Sequence, residues 1–174
     1  VSEYRFTLRF DVSGVQMTTD DMLDRLAAEG CDDAAVGVGT SGRLALAFDR
    51  DATSATQAAS SAARDVHSAL PGAKLLGASP DIVGLSDIAE LVGRTRQNMR
   101  KLLVTGGGAP APLHEGSSLV WHLALVLVWL REEKAYAIPD DLIEVARTTM
   151  QVNLAVEARL ADRAVQKELR TLVG

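Results

Sequence analysis

Residues 4–12, YRFTLRFDV, alternate apolar and polar side chains, and this period of two is the firmest constraint the chain places on its own fold. It predicts a strand with Tyr4, Phe6, Leu8, Phe10 and Val12 on one face. The period then changes. Thr18-Thr19-Asp20-Asp21 offers caps to MLDRLAAEG, where Met22, Leu23 and Leu26 recur at helical spacing and Gly30 ends the turn. AAVGVG (34–39) and RLALAFD (43–49), joined by Thr40-Ser41-Gly42, predict a hairpin. Asp51-Ala52-Thr53-Ser54 opens a second helix that runs to about Leu70, where Pro71-Gly72 stops it. AKLLGAS (73–79) supplies a fourth strand.

Strand, helix, strand, strand, helix, strand is the order of the ferredoxin-like βαββαβ arrangement, with both helices on one face of an antiparallel sheet. An α+β protein is therefore expected, with this accessory domain spanning 1–80. The second helix, ATQAASSAARDVHSAL, packs closely through small residues. No polar cluster in the domain demands a ligand. Ligand sensing, docking of a protein partner and oligomerisation all stay open for it. Ser79-Pro80-Asp81 marks the boundary, after which the chain reads as helices and one Gly/Pro-rich loop.

Bulk properties narrow the function. One cysteine, Cys31, allows no internal disulfide and suits a reducing cytoplasm. The apolar run LVWHLALVLVWL (119–130) is too short for a bilayer and predicts a buried helix. The first residues, VSEYRFTLRF, lack signal-peptide features, so a cytoplasmic location is expected, with no membrane partner. The net charge of −5 argues at first against nucleic acid. Its distribution does not. Residues 1–81 hold 7 basic and 12 acidic side chains, whereas Gly93–His114 holds Arg94, Arg96, Arg100 and Lys101 with no acid.

That window lies in LSDIAELVGRTRQNMRKLLVTGGG, residues 85–108. Ser86 is a candidate cap for a helix burying Ile88, Leu91 and Val92, and Ala89 is small where a second helix would cross. Gly93 permits a sharp turn. Thr95 caps a second helix, over 95–103, that buries Met99, Leu102 and Leu103. Its outer face then carries Arg96, Gln97, Asn98, Arg100 and Lys101. Gln and Asn pair with adenine, Arg with guanine, and Arg or Lys with phosphates. Arg96, Gln97 and Arg100 are the candidates for base edges, and Asn98 and Lys101 for the DNA backbone.

IAELVGRTRQNM resembles the helix-turn-helix of bacterial regulators related to the MerR and excisionase (AlpA-like) winged helices. In that family an Ile-Ala pair precedes a Gly, a capping Ser or Thr, then Arg and a short reading helix. The likeness continues through Ala109-Pro110-Ala111-Pro112, a hairpin centred on Glu115-Gly116-Ser117-Ser118, Leu119-Val120-Trp121, and a helix ending Val128-Trp129-Leu130. It implies a winged helix-turn-helix DNA-binding domain over 81–134, with double-stranded DNA as partner and His114, Ser117 and Ser118 on the wing. Ala124 and Leu125 stand where members often carry a polar cap and an acid. That apolar helix implies deeper burial, at a domain or subunit interface. Arg94 stands at a turn position that is usually apolar, which adds a phosphate contact.

Residues 135–174 predict a long C-terminal helix from Pro139, for dimerisation or packing. The expected function is sequence-specific duplex binding by a homodimeric transcriptional regulator or autorepressor, reading half-sites about one helical turn apart. A DNA-binding antitoxin, an excisionase-like architectural factor, and a protein-interaction module with a degenerate helix-turn-helix are the alternatives.

Other features point to no enzyme. Gly106-Gly107-Gly108 lacks the flanking strand and Lys-Ser/Thr ending of a phosphate loop. His67, His114 and His122 have no metal-ligand spacing, and His114 and His122 flank the wing within reach of DNA backbone. Asp20-Asp21, Asp32-Asp33 and Asp140-Asp141 suit helix caps, Cys31 a buried inert thiol, and Trp121 and Trp129 core anchors. No cofactor or metal is expected.

Overall fold

The computed structural model describes residues 1–173. Its first six elements are β1 (Ser2–Asp11), α1 (Thr19–Ala28), β2 (Ala34–Val38), β3 (Arg43–Ala52), α2 (Ala55–Ala69) and β4 (Lys74–Ser79). The four strands form one antiparallel sheet in the order β2-β3-β1-β4. The period of two in β1 sets its faces. Tyr4, Phe6, Leu8 and Phe10 are buried beneath α1 and α2, while Glu3, Arg5 and Arg9 face outward. Thr18 caps α1 and Ser54 caps α2, each accepting a hydrogen bond from a backbone N–H three residues on. Leu23, expected on the inner face of α1, is exposed; Met22 and Leu26 carry that contact.

The second set of elements is β5 (Ile82–Val83), α3 (Leu85–Leu91), α4 (Arg96–Arg100), β6 (His114–Glu115), β7 (Leu119–His122) and α5 (Leu123–Lys134). The strands pair antiparallel in the order β5-β7-β6. The apolar run expected as one helix is therefore split. Its first four residues form β7, and the helix starts at Leu123. Val83, Ile88, Met99, Leu103, Trp121, Leu127 and Leu130 lie in a second core, distinct from the one under the first sheet.

α6 (Asp140–Glu157) joins the two cores. Val145 enters the first and Ile143 and Ala146 the second, because residues three apart share a side of a helix while the residue between them points elsewhere. Polar bonds fix the junction. Glu144 accepts from the Tyr4 hydroxyl at 3.0 Å and from the Ala55 N–H at the start of α2 at 2.8 Å. The Asn153 amide accepts from Ala78 N–H at 2.7 Å and donates to Ala78 C=O at 2.8 Å, so it occupies the outer edge of β4 as a neighbouring strand would. It also donates to the Asp81 carboxylate at 2.7 Å, whose other oxygen meets His122 Nδ1 at 2.7 Å. Asp81, only 1% exposed, is thus held from both units.

The single long C-terminal helix is not formed. α6 gives way to a 3-10 turn at Ala158–Leu160, and α7 (Arg163–Val173) starts afresh. Asp162 explains the break: its carboxylate accepts from the N–H groups of Ala164 at 2.9 Å and Val165 at 3.2 Å, which caps a new helix. No residue of α7 is buried. Among the described residues no helix is long and apolar enough to cross a membrane.

Candidate nucleic-acid interface

α3 and α4 are joined by a tight turn at Val92–Thr95. Gly93 has φ +64°, a conformation that L side chains rarely adopt, and nothing crowds the place where a Cβ would sit. The turn closes through Arg94 N–H donating to Ala89 C=O at 2.8 Å. Thr95 caps α4, its hydroxyl accepting from Asn98 N–H at 3.1 Å. The expected Ser86 cap is displaced. Gly84 is the N-cap residue of α3, and its N–H donates to the Asp87 carboxylate at 2.8 Å. Leu91, expected inside, is exposed, and Val92 and Leu102 are half-buried, so Ile88 and Ala89 seat α3.

α4 is anchored by Met99, which is fully buried, and by Leu103 in the π-helical turn Lys101–Thr105 that continues it. With that side fixed, Arg96, Gln97, Asn98, Arg100 and Lys101 are all exposed. Arg96 and Arg100 line a groove together with Gly84–Asp87 at the start of α3 and Gly116–Leu119 of the hairpin. The cationic helix and the hydroxyls of the hairpin tip therefore open onto one surface. Gln97 and Lys101 are exposed outside that groove.

Asn98 and Arg94 are engaged on the opposite flank. The Tyr136 hydroxyl donates to Asn98 Oδ1 at 3.1 Å, and the Arg94 guanidinium lies 5.4 Å from the Tyr136 ring centre. Tyr136 was not singled out by sequence. The only sign of it is an aromatic residue in the short segment Ala135–Ile138 between α5 and α6.

The hairpin is short. Glu115 pairs with Leu119 and His114 with Val120. The His114 ring lies over Gly116, filling the space a side chain there would need. Trp121 is a core residue whose indole N–H donates to Pro110 C=O at 3.1 Å, which ties the Pro-rich segment to the hairpin. Trp129 is likewise buried. His122, expected within reach of DNA backbone, is instead turned inward against Asp81.

Among the described residues, Arg94, Arg96, Arg100 and Lys101 form no ion pair, although Arg5, Arg50 and Arg131 do. Arg96, Arg100 and Lys101 are left to solvent, and Arg94 has the Tyr136 ring alone. Chemically the arrangement suits a polyanion: bare guanidinium groups for phosphates or guanine, an exposed Gln for adenine, and serine hydroxyls in the groove for phosphate oxygens. Comparison with family models, with curated proteins and with solved structures finds no match to this chain.

Proposed function

We propose that residues 81–134 act as a winged helix-turn-helix of the MerR/excisionase type, that residues 1–80 form a ferredoxin-like accessory domain, and that the protein binds duplex DNA sequence-specifically as a dimeric regulator or autorepressor. One observation carries this reading. α4 is pinned by Met99 on one side and, with the turn that continues it, exposes Arg96, Gln97, Arg100 and Lys101, while Ser117 and Ser118 line the same groove as Arg96 and Arg100.

In the proposed complex α4 enters the major groove. Arg96, Gln97 and Arg100 meet base edges while Lys101 and Arg94 neutralise phosphate. Ser117, Ser118 and His114 follow the adjacent backbone. Asn98, with its carbonyl oxygen held by Tyr136, keeps its amide donors for phosphate or a base.

The test begins with selection of preferred sequences from a random duplex library, followed by fluorescence anisotropy at several salt concentrations. Affinity should fall steeply with salt. Arg96→Ala and Arg100→Ala should each cost about 1–3 kcal/mol on the selected duplex and relax the choice of base at one position. Lys101→Ala should weaken all duplexes alike and reduce the salt slope by about one. A purified, folded protein that enriches no sequence and shows no salt-dependent binding would sink the proposal.

A further inference from the structure

The two edges of the four-stranded sheet are treated differently. The β4 edge is sealed: Asn153 takes both the N–H and the C=O of Ala78, and Arg159 donates to Leu75 C=O at 2.7 Å. The β2 edge has no cover. β2 pairs with β3 alone, and among the described residues no hydrogen bond reaches the N–H of Val36 or Val38. Nor does β2 carry the usual protections of an exposed edge. Its residues, Ala34-Ala35-Val36-Gly37-Val38, include no charge and no proline, and its ladder to β3 runs without a bulge.

The register shows which backbone groups point outward. Asp49 N–H donates to Asp33 C=O and Gly39 N–H to Arg43 C=O, so residues 33, 35, 37 and 39 bond inward to β3. Ala34, Val36 and Val38 therefore aim their N–H and C=O groups away from the sheet. The Ala34 N–H is already spent on Cys31 C=O at 3.2 Å. What remains is an acceptor at Ala34 and a donor with an acceptor at each of Val36 and Val38.

We propose that β2 of two copies of this chain pair antiparallel about a two-fold axis at Val36, joining the two sheets into one. The outward groups match themselves under that rotation. Val36 N–H meets Val36 C=O of the second copy in both directions, and each Val38 N–H meets the Ala34 C=O left open opposite it. The one donor missing from the pattern, Ala34 N–H, costs only two of the possible bonds. Side chains agree with this pairing. Val36 opposes Val36, Ala34 opposes Val38, and Ala35 opposes Gly37, so no bulky or like-charged pair meets. Val38, 50% exposed in the single chain, gains a cover. Asp32 of each copy falls opposite Thr40 of the other, in the turn Thr40-Ser41-Gly42, so the acid at each end meets no like charge. A contact in which the same strand meets itself closes as a dimer and does not propagate.

This dimer does not depend on the DNA reading. It is tested on the whole chain by sedimentation velocity over a range of concentrations, together with amide hydrogen exchange. The expected result is a species of twice 18.5 kDa in which the Val36 and Val38 amides are protected. Val38→Pro removes an outward N–H and no bond to β3, and should raise the dimer dissociation constant by about tenfold or more while leaving the circular dichroism unchanged. Ala35→Lys, on the exposed face beside the axis, should do the same by repulsion and serves if the proline variant misfolds. Binding of a single DNA half-site should survive both changes, whereas Arg96→Ala should impair DNA binding and keep the dimer. A protein that stays monomeric throughout overturns the proposal. So does a dimer whose β2 amides exchange freely and which yields to Leu169→Lys on α7 but not to the β2 variants.

Discussion

Arg50 and the pair Arg96 and Arg100 show two opposite uses of one side chain. Arg50, 7% exposed, sits in a cage. Its Nε and one terminal nitrogen donate to the two oxygens of Asp33 at 2.6 and 2.9 Å. The other terminal nitrogen donates to Asp65 at 2.6 Å and Ser61 at 3.2 Å, and Gly30 C=O takes a further bond. The Phe48 ring lies 4.9 Å below. Arg96 and Arg100 lie on an exposed groove, and among the described residues no carboxylate pairs with either. Where this fold needs a cation for its own cohesion it surrounds it with acids; Arg96 and Arg100 it leaves to water, open to an anion from outside. Removing Arg50 should therefore cost folding, and removing Arg96 or Arg100 should cost binding.

The largest effect is expected at Arg50. Arg50→Met leaves two carboxylates without their cation and breaks the tie between the α1–β2 loop, β3 and α2. Loss of one partner from a fully buried pair costs about 3–5 kcal/mol. The side chains of Asp33 and Asp65 are 28% and 33% exposed and can rehydrate, which puts the loss near the lower end, about 3 kcal/mol. Urea unfolding measures it directly. A loss below about 1 kcal/mol would remove the contrast with the groove arginines, since it would make Arg50 a surface charge in all but name.

Next comes Asn153→Ala, at about 2 kcal/mol. It strands the N–H and C=O of Ala78 at the sheet edge and removes a donor from buried Asp81. The same variant sharpens the proposed role of the bare β2 edge. If an uncovered edge is what recruits a second copy, opening β4 should promote larger assemblies, visible by sedimentation as species beyond the dimer.

How much of this was legible in the sequence follows from distance along the chain. The strand period of β1, the caps Thr18, Ser54 and Thr95 and the turn at Gly93 are local, and each appeared where its neighbours required. The Arg50 cage was not foreseen. Asp32-Asp33 looked like a capping pair, and only the β2–β3 pairing brings Asp33 to an arginine 17 residues on. Asn153 acts on a strand 75 residues away, and Tyr136 on a helix 38 residues back; neither contact has any local periodicity to betray it. The break at Asp162 carried a local signal, a capping aspartate, but the apolar spacing on either side concealed it. For the groove, sequence supplied the side chains and their exposure, while bringing Ser117 and Ser118 to the same groove as Arg96 and Arg100 required the hairpin to fold back.

A smaller effect concerns Cys31, beside the Arg50 cage. Burial, and then the charge of Asp65, push its thiol from an ordinary 9.0 up to about 11. The folded protein therefore holds this proton more tightly than the unfolded chain. Its contribution is complete below pH 9 and is lost as the pH rises toward 11, by about 1 kcal/mol at pH 10. Urea melts of the parent and of Cys31→Ala across that range should converge as the pH rises, because only the parent has the thiol to titrate. Parallel pH profiles would mean that the thiol is as free to ionise in the folded state as in the unfolded chain.

The smallest effect is the most demanding of the contrast. Arg96→Ala and Arg100→Ala should each change folding stability by less than about 0.5 kcal/mol, as substitutions at exposed helical positions without a partner do. Alanine even has the slightly higher helix propensity, so a small gain is as admissible as a small loss. The same two substitutions should weaken DNA binding by more than they alter folding. A side chain that stabilised α4 through some contact in the free protein would show the reverse order, losing stability first and affinity only in proportion. Measuring both quantities on the same preparation separates the cases. If Arg100→Ala melts as early as Arg50→Met, the groove arginines belong to the fold, and the surface they line has no charge to spare for a phosphate.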